Sequence, residues 1–356
     1  MKETAIFAEV TRGEVIESVH CGRVAVIARD GSLRACAGDP AQVAYFRSAA
    51  KPFQAVPLVE SGAADAFGFG TRELALACSS HDSTPEHQRG VARMLERCGL
   101  HEDDLRCGIS PIADEQEQAR AVLGLVWPSQ LQCECSGEHA GMLAACKHLG
   151  DELDDYVARD HPLQRRILET LATVLGMEEA DIVIGTDGCS IPTFAAPLHR
   201  FAWAYAILAA PHAGPQAIHA SLASALDRLR DAMVRHPVLV GNDGVLDTDI
   251  MQLSGGRIVA KLDAEGLLCL AVPEQGIGIA IATEDGMPRG LGPAAIATLR
   301  QLELADNAML EALRERHAVP IPSFKGEPVG EIRPALTLEY TTSSRGRHDP
   351  GSAVTP

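Results

Sequence analysis

Two serine–lysine pairs are the residues of this chain best suited to acyl-transfer chemistry. In the first pair, Ser48 and Lys51 stand three positions apart where a helix is expected to begin. Residues i and i+3 lie on one face of a helix, so the hydroxyl and the amine can meet. A buried lysine that loses its proton can act as base for a serine nucleophile. In the plainer interpretation, Ser48 caps the helix and Lys51 lies in its solvated first turn.

Ser80 and Lys261 form the second candidate pair. Ser80 follows a short apolar segment, and Lys261 interrupts an otherwise apolar strand pattern at 257–262. A lysine in a strand often extends to solvent, whereas a desolvated lysine amine is suited to act as a base. The neighbouring Ser80-His81-Asp82 is not read as a catalytic triad, because adjacent residues cannot face one another in triad geometry.

Residue types that bind zinc are concentrated in the segment CECSGEH at 133–139. If Ser136 opens a helix, the side chains that project from its start are Cys135, Glu138 and His139. Thiolate, carboxylate and imidazole are all zinc ligands, and Cys189 in the loop 185–189 could add a fourth. Buried thiols beside a capping serine are the structural alternative, because the chain has no paired Cys-x-x-Cys motif.

The composition is that of an acidic globular protein. Of 356 residues, 46% are hydrophobic and 22% are charged, with a formal net charge of -17. This charge argues against a nucleic-acid or anionic-membrane partner, since phosphate binding needs a basic face. No stretch approaches the roughly 20 apolar residues of a membrane span, and residues 1–4 lead into a strand-like segment rather than a signal peptide. We therefore expect a cytoplasmic protein whose ten cysteines are reduced thiols.

Strand patterns lie at both ends of the chain, with helical patterns between them. The first forty residues read as β structure, and a helix is expected from Ser48 to Ser61. Three further strand patterns, at 257–262, 267–272 and 277–283, predict an antiparallel meander. A final helix is expected over 293–316.

The expected class is α/β, with an antiparallel sheet built from both chain termini and a helical insertion. Residues 1–75 and 237–338 are predicted to form the sheet layer. Residues 76–236 are predicted to form a mainly helical subdomain that carries the metal-site loops. Residues 339–356 are expected to be a disordered tail, because they are small, polar and contain Pro and Gly.

Taken together, four motifs resemble those of the Rhizobium etli type (class 3) L-asparaginases. In order along the chain they are RSAAKP at 47–52, SSH at 79–81, CSGEHAGM at 135–142 and GTDGC at 185–189. The resemblance implies a fold similar to serine β-lactamases and glutaminases, and a homodimer that hydrolyses L-asparagine to L-aspartate and ammonia. It also implies that both Ser-Lys pairs face one cleft beside a zinc ion. The residues expected to bind substrate are Arg47, His139, Asp187 and Gly188. The resemblance implies that Cys135 and Cys189 hold the zinc, and Glu138 is a further candidate ligand because of its carboxylate.

One residue departs from that family pattern. The family carries a lysine where this chain has Glu138, a difference of two charges. A carboxylate is the more usual zinc ligand, yet it also removes a positive charge from the cleft. Two other functions therefore stay open: a Ser-Lys hydrolase of another amide (glutamine or a lactam), and a zinc-binding amino-acid sensor without turnover. The sequence Lys261-Leu262-Asp263 is not the K-T-G of β-lactamases, which weighs against penicillin as substrate.

Overall fold

The computed structural model describes residues 4–214 and 218–341. The strands are β1 (Ala5–Arg12), β2 (Val15–Ala28), β3 (Leu33–Ala37), β4 (Val43–Tyr45), β5 (Val183–Thr186), β6 (Pro192–Pro197), β7 (Val259–Leu262), β8 (Leu267–Val272), β9 (Ile277–Thr283), β10 (Ile321–Pro322), β11 (Pro328–Gly330), β12 (Ile332–Pro334) and β13 (Glu339–Tyr340).

The α-helices are α1 (Lys51–Gln54), α2 (Val56–Glu60), α3 (Ala63–Ala66), α4 (Thr71–Ala77), α5 (Pro85–Arg97), α6 (Glu115–Val122), α7 (Ser136–Leu149), α8 (Pro162–Leu175), α9 (Leu198–Ala209), α10 (Ala220–Arg235), α11 (Pro237–Val240), α12 (Leu246–Leu253), α13 (Leu291–Gln301) and α14 (Asn307–His317). Single 3₁₀ turns span Arg47–Ala50, Glu102–Asp104, Gln130–Gln132, Glu179–Asp181 and Pro288–Gly290.

The main sheet has eight strands and draws them from both ends of the chain. Its central path runs β12-β1-β2-β9-β8-β7, with β3 beside β2 and β13 beside β3. Every pairing in it is antiparallel. The predicted α/β class, with an antiparallel sheet from both termini, is therefore confirmed, and so is the meander β7-β8-β9.

The middle of this sheet is covered on both faces by helices. Strands β8 and β9 are buried along their whole length, as expected for continuous apolar runs rather than alternating ones. Helix α9 approaches β9 at Gly278, where an added Cβ would lie 2.0 Å from the Ala202 carbonyl oxygen. Only glycine permits so close a contact between a strand and a helix backbone. Helix α13 contacts β1 and β9.

Between the strands of the main sheet, the chain is mainly helical and carries a second, small sheet. This sheet has the order β4-β6-β5, and its strand β6 is buried at all but its last residue. The turn between β5 and β6 contains the predicted ligand-binding residues 187–189. No helix in the described ranges has the length and apolarity needed to cross a bilayer.

Three expectations about elements need correction. The helix expected from Ser48 is a 3₁₀ turn followed by the short helices α1 and α2, because Pro57 lacks the N–H that a continuous helix would use. The helix expected over 293–316 is two helices, α13 and α14, separated near Glu303, whose φ is +56°.

The predicted tail 339–356 begins in a strand rather than in disorder. Glu339 and Tyr340 pair with Cys36 and Ala35 of β3. The rest of that tail, residues 342–356, lies outside the described residues.

Candidate active site

Lys51 lies at the start of α1, and the turn before it is held by aromatic packing. Phe46 stacks on Phe201 with 4.2 Å between ring centroids, and the Tyr205 hydroxyl donates to the Ala49 carbonyl at 2.9 Å. Lys51 itself is 2% exposed. The interpretation in which it lies in a solvated first turn is therefore wrong, and its amine needs polar partners inside the protein.

Those partners come from two other segments. Lys51 Nζ donates to the Ser79 carbonyl at 2.6 Å, to Ser80 Oγ at 2.9 Å and to Cys135 Sγ at 3.2 Å. A carboxylate oxygen of Glu138, also buried, lies 3.4 Å from the same nitrogen. The first predicted lysine thus joins the second predicted serine and the predicted metal cluster.

Lys261 reaches Ser80 from strand β7 at the edge of the main sheet. It is 1% exposed, so the interpretation in which it extends to solvent is also wrong. Its Nζ donates to Ser80 Oγ at 3.1 Å and to the Leu262 carbonyl at 2.8 Å. An oxygen of Asp247 on α12 lies 3.7 Å from Nζ. The predicted contact between Ser80 and Lys261 is present.

The two amines share the hydroxyl of Ser80, whereas within the described residues Ser48 makes no hydrogen bond to either lysine. Ser48 is half-buried in the turn that carries Lys51, yet within the described residues no hydrogen bond joins the two side chains. Arg47, directly before Ser48, has a left-handed φ of +43°. Such backbone strain in a non-glycine residue is concentrated at functional sites.

Burial and charge move the pKa values of the two amines apart. Burial lowers the pKa of Lys261, aided by the positive charge of Lys51 and opposed by Asp247. Burial acts on Lys51 in the same direction, but Cys135 and Glu138 outweigh it and hold the pKa of Lys51 well above its ordinary value. Lys261 therefore loses its proton at lower pH than Lys51 does, so it is the amine of the pair that is more often neutral and free to accept a proton.

The predicted zinc residues form a buried cluster beside Lys51. The ligand atoms of Cys135, Glu138 and Cys189 all lie within 4.8 Å of one another. Cys135 is the N-cap of α7. Helix α7 approaches α4 closely at Gly137, where an added Cβ would lie 2.3 Å from the Leu76 carbonyl oxygen.

Cys189 reaches the cluster from the turn between β5 and β6. The Asp187 N–H donates to the Ile191 carbonyl at 2.8 Å and closes this turn. Ser190 adopts a left-handed φ of +77° within it. The two thiols thus come from segments more than fifty residues apart, which no local spacing motif could reveal.

The donor set of this cluster fits a zinc ion. Two thiols and one carboxylate are three zinc ligands that leave a position open. Both carboxylate oxygens of Glu138 are buried and have no hydrogen-bond partner among the described residues. Burial raises the pKa of Glu138 to about 7, although Lys51 opposes the shift. A bound cation would compensate the negative charge of the buried, ionised Glu138 carboxylate.

The residues predicted to bind substrate flank these groups. Arg47 Nη2 lies 3.3 Å from Asp187 Oδ1, and both side chains are partly exposed. The same carboxylate oxygen accepts the Gly188 N–H at 2.6 Å. Arginine and aspartate beside an exposed backbone N–H can pair with the carboxylate and amine of an amino acid.

His139 contacts Tyr156, a residue that sequence reasoning missed. Its Nδ1 lies 2.6 Å from the hydroxyl of Tyr156, which accepts the Arg106 N–H at 2.9 Å. Burial lowers the pKa of His139 to about 3, with a smaller contribution from Lys51, so the ring is neutral. In the tautomer with its proton on Nε2, Nδ1 accepts the hydrogen of the Tyr156 hydroxyl. That Nε2 is buried and has no partner within the described ranges.

Asp247 is the second residue that sequence reasoning missed. It lies two positions before Asp249 in α12, and both are buried. Two carboxylates inside a buried helix are the only local signal that could have singled them out. Tyr156 offers no such signal, because a buried tyrosine is ordinary.

His81 has a structural role, in agreement with the rejection of a Ser80-His81-Asp82 triad. Its Nδ1 accepts the Ser83 N–H at 3.1 Å, so Nε2 carries the proton and donates to Ser136 Oγ at 2.9 Å. Burial lowers the pKa of His81 well below its ordinary value. The imidazole therefore links its own loop to the first residue of α7, and no hydrogen bond joins it to Ser80 Oγ within the described residues.

One family profile, that of L-asparaginase II, matches residues 8–334 of the chain. Among curated proteins, none shows a significant match to the sequence.

Similar solved structures include Mglu in its native form, at 16% identity over 80% of this chain and 65% of the Mglu chain, with a TM-score of 0.40. Mglu in its tris and glutamate form has 17% identity over 80% of this chain and 60% of the Mglu chain, with a TM-score of 0.43. A β-lactamase from Mycobacterium bovis has 13% identity over 83% of this chain and 94% of its own, with a TM-score of 0.38. The chain thus spans less than two thirds of each of these two Mglu chains, and similarity at this level says nothing about the reaction.

Proposed function

Because the chain belongs to the L-asparaginase II family, a family of amidohydrolases, we propose that it hydrolyses L-asparagine to L-aspartate and ammonia. The observation that carries the proposal is the shared hydroxyl of Ser80, which lies 2.9 Å from Lys51 Nζ and 3.1 Å from Lys261 Nζ. Two buried amines on one hydroxyl are poorly explained by stability alone, since burying a charge is costly. They suit proton transfer in a serine-based acyl transfer.

In the proposed reaction, Ser80 relays a proton between the lysines. Lys51 donates its proton to Ser80 Oγ while the Ser80 hydroxyl proton passes to neutral Lys261. Lys51 then has a free electron pair. The Ser48 side chain would have to turn toward Lys51 Nζ, give it the hydroxyl proton and attack the side-chain amide carbon with its oxygen. The C–N bond breaks, and the leaving nitrogen takes a proton from the lysines and departs as ammonia. Water then hydrolyses the aspartyl ester and regenerates Ser48.

The direct alternative is attack by Ser80 with Lys261 as its base. It is favoured by the existing hydrogen bond between the two, and it needs no prior proton shift. Trapping the ester separates the two assignments. Protein mixed with asparagine and quenched in acid within the first turnover should carry the aspartyl group on the peptide that contains Ser48, whereas the alternative places it on the peptide that contains Ser80.

Substrate recognition is assigned to the groups that flank the lysines. Arg47 would pair with the α-carboxylate of asparagine and Asp187 with its ammonium group. The Nε2–H of His139 would donate to a substrate oxygen, since it is buried and has no other partner among the described residues. Gly188 would offer its exposed backbone beside Asp187, with no side chain to obstruct the substrate.

We also propose that Cys135, Cys189 and Glu138 hold a zinc ion. When bound, zinc would supply positive charge that positions the substrate. Zinc is not assigned to the activation of water, because the serines already provide a nucleophile. A homodimer, which family resemblance suggests, is proposed as the assembly, and light scattering on the purified protein tests it.

The test of the proposed function is ammonia release from asparagine and from glutamine, measured in parallel with the absorbance change of a chromogenic lactam. Turnover of asparagine well above that of the other two is the expected result. Preference for glutamine or the lactam would reassign the substrate and keep the Ser-Lys chemistry. Binding of asparagine by calorimetry without any ammonia release would identify an amino-acid sensor and overturn the proposal.

A further inference from the structure

Asp247 is tied to Lys261 by a closed ring of contacts. Asp247 Oδ2 accepts the Leu262 N–H at 2.9 Å and lies 3.7 Å from Lys261 Nζ. Lys261 Nζ in turn donates to the carbonyl of the same Leu262 at 2.8 Å. Strand β7 is the last strand on its side of the sheet path, so a carboxylate here occupies a backbone donor that no further strand would pair.

The Asp247 carboxylate is itself held in place. Its other oxygen accepts the Thr248 N–H at 2.8 Å. An added Cβ at Gly241 would lie 3.2 Å from that oxygen and 2.8 Å from Thr248 Oγ1, so the loop before α12 packs closely against this pair. The side chains of both Asp247 and Lys261 are 1% exposed, and a pair so buried interacts strongly.

We propose that Asp247 is the positioning residue for Lys261: it fixes the amine toward Ser80 and sets the pH at which that amine gives up its proton. The proposal deepens the proposed function and rests on it for the identity of the reaction. It goes beyond that function because Asp247 lies in none of the motifs that carry the family resemblance.

Other groups also shift the pKa of Lys261, and the direction of each shift shows what Asp247 contributes. The ionisable groups that interact with Lys261 from the elements around it are Lys51, Cys78, Glu134, Cys135, Glu138 and Asp263. Burial favours the neutral amine most, and Asp247 is the largest opposing influence on the pKa of Lys261. Without Asp247, the amine would lose its proton at lower pH.

Asp249 provides a matched control on the same helix. It is also an aspartate with no exposed side-chain surface, but it pairs with Arg316 at its Oδ1 and with His317 at 2.7 Å. Both partners belong to α14, so Asp249 connects α12 to α14. The aspartate that pairs with Lys261 is Asp247. Replacing either aspartate by asparagine keeps the shape and the acceptor oxygen and removes one charge.

The deciding experiment measures Lys261 without relying on turnover. Full-length protein is labelled with trace acetic anhydride between pH 6 and 11, and peptide mass spectrometry gives the extent of acetylation at Lys261. Asp247→Asn should move the labelling midpoint about 1 to 3 pH units lower, the usual effect of removing an adjacent opposite charge. Asp249→Asn should leave the midpoint where it is in the unmodified protein, and Asp247→Glu should restore most of it.

The same variants are then assayed for ammonia release from asparagine. The rise of kcat with pH should shift in Asp247→Asn in the same direction as the labelling, with KM changed little. An Asp247→Asn midpoint equal to that of the unmodified protein, or an equal shift in Asp249→Asn, overturns the proposal. A shifted midpoint in a protein that never releases ammonia supports the role of Asp247 and rejects the proposed function instead.

Circular dichroism checks that each variant folds. If Asp247→Asn does not fold, Asp247→Ser replaces it, because serine keeps an acceptor for the Leu262 N–H without a charge. The same downward shift is expected of it, and an unchanged midpoint overturns the proposal equally.

Discussion

A carboxylate oxygen of Glu138 lies 3.4 Å from Nζ of Lys51, and the two side chains are 2% and 3% exposed. This is the position at which the family resemblance implies a lysine. A lysine there would place two ammonium groups side by side in a buried site, whereas the carboxylate compensates the charge of Lys51. The substitution therefore changes the charge balance around the proposed catalytic amine as well as the ligand set.

The first prediction concerns stability and pH. Burial raises the pKa of Glu138 to about 7 from 4.5, so the folded state binds its proton more tightly than the unfolded state. The stability this gives is fully present below pH 4.5 and is lost as pH rises through 7. In metal-free protein, the unmodified chain should therefore lose stability relative to Glu138→Gln as the pH rises. The difference in unfolding free energy between the two proteins should change by about 3 kcal/mol across this range, in favour of the variant. Urea titrations at pH 4.5 and 8 measure it, and a constant difference contradicts it.

The second prediction concerns zinc. Purified protein should contain up to one zinc per chain, and Cys135→Ser or Cys189→Ser should lose it, because serine is a poor zinc ligand. Zinc affinity should rise between about pH 6 and 8 as Glu138 loses its proton. Elemental analysis after dialysis measures both effects. Full zinc in both cysteine variants would rule out the site.

Glu138→Lys tests whether Glu138 is a zinc ligand or only lies beside the two thiols. If Glu138 binds zinc, this variant should retain less metal, and the added charge should alter the KM for asparagine. Unchanged metal content would mean that Glu138 serves only to compensate Lys51.

The third prediction assigns the two serines. Ser48→Ala should lower kcat by about 10³-fold or more, since the attacking oxygen is gone. Ser80→Ala should lower it by about 10² to 10⁴-fold, the usual effect of removing acid–base assistance. Ser83→Ala serves as control, because its hydroxyl donates to the Gln132 carbonyl and contacts neither lysine. If Ser48→Ala keeps more than about a tenth of the rate, Ser80 is the nucleophile.

The fourth prediction concerns the pH profile of the reaction. Because burial lowers the pKa of Lys261 from that of an ordinary lysine, the neutral amine becomes more abundant as pH rises. Ammonia release should therefore increase from neutral into alkaline pH. A rate that peaks near pH 5 and has declined by pH 8 would point to a carboxylate base and contradict the Ser-Lys chemistry.

The fifth prediction tests the packing that brings the thiol cluster to the lysines. Gly137→Ala should destabilise the protein by about 1 to 3 kcal/mol, because the new methyl group would overlap the Leu76 carbonyl. Gly188→Ala is the matched control, since an added Cβ there meets nothing within 4 Å. Thermal unfolding should show a lower Tm for the first variant only, and equal Tm values would contradict the close approach of α7 and α4.

Local sequence patterns located most strands of the main sheet, though not β12 and β13, and the types of residue at the site. Apolar runs bounded by turn residues located β7, β8 and β9 closely, because a buried strand must be apolar on both faces. These patterns gave wrong helix boundaries where a single residue interrupts a helix. Pro57 divides the helix after Ser48, and the left-handed backbone at Glu303 divides the helix after Leu291.

The pairing of the site residues was decided by tertiary structure alone. Spacing along the chain paired Lys51 with Ser48, yet its long side chain extends into the interior and reaches Ser80, twenty-nine positions away. Cys189, Tyr156 and Asp247 join the cluster from three further segments, and no local pattern encodes such distances. The sequence by itself determined which chemical groups are present, since these follow from residue type. Only folding decided which of them meet and which lose their water, and burial beside a charge is what shifts a pKa.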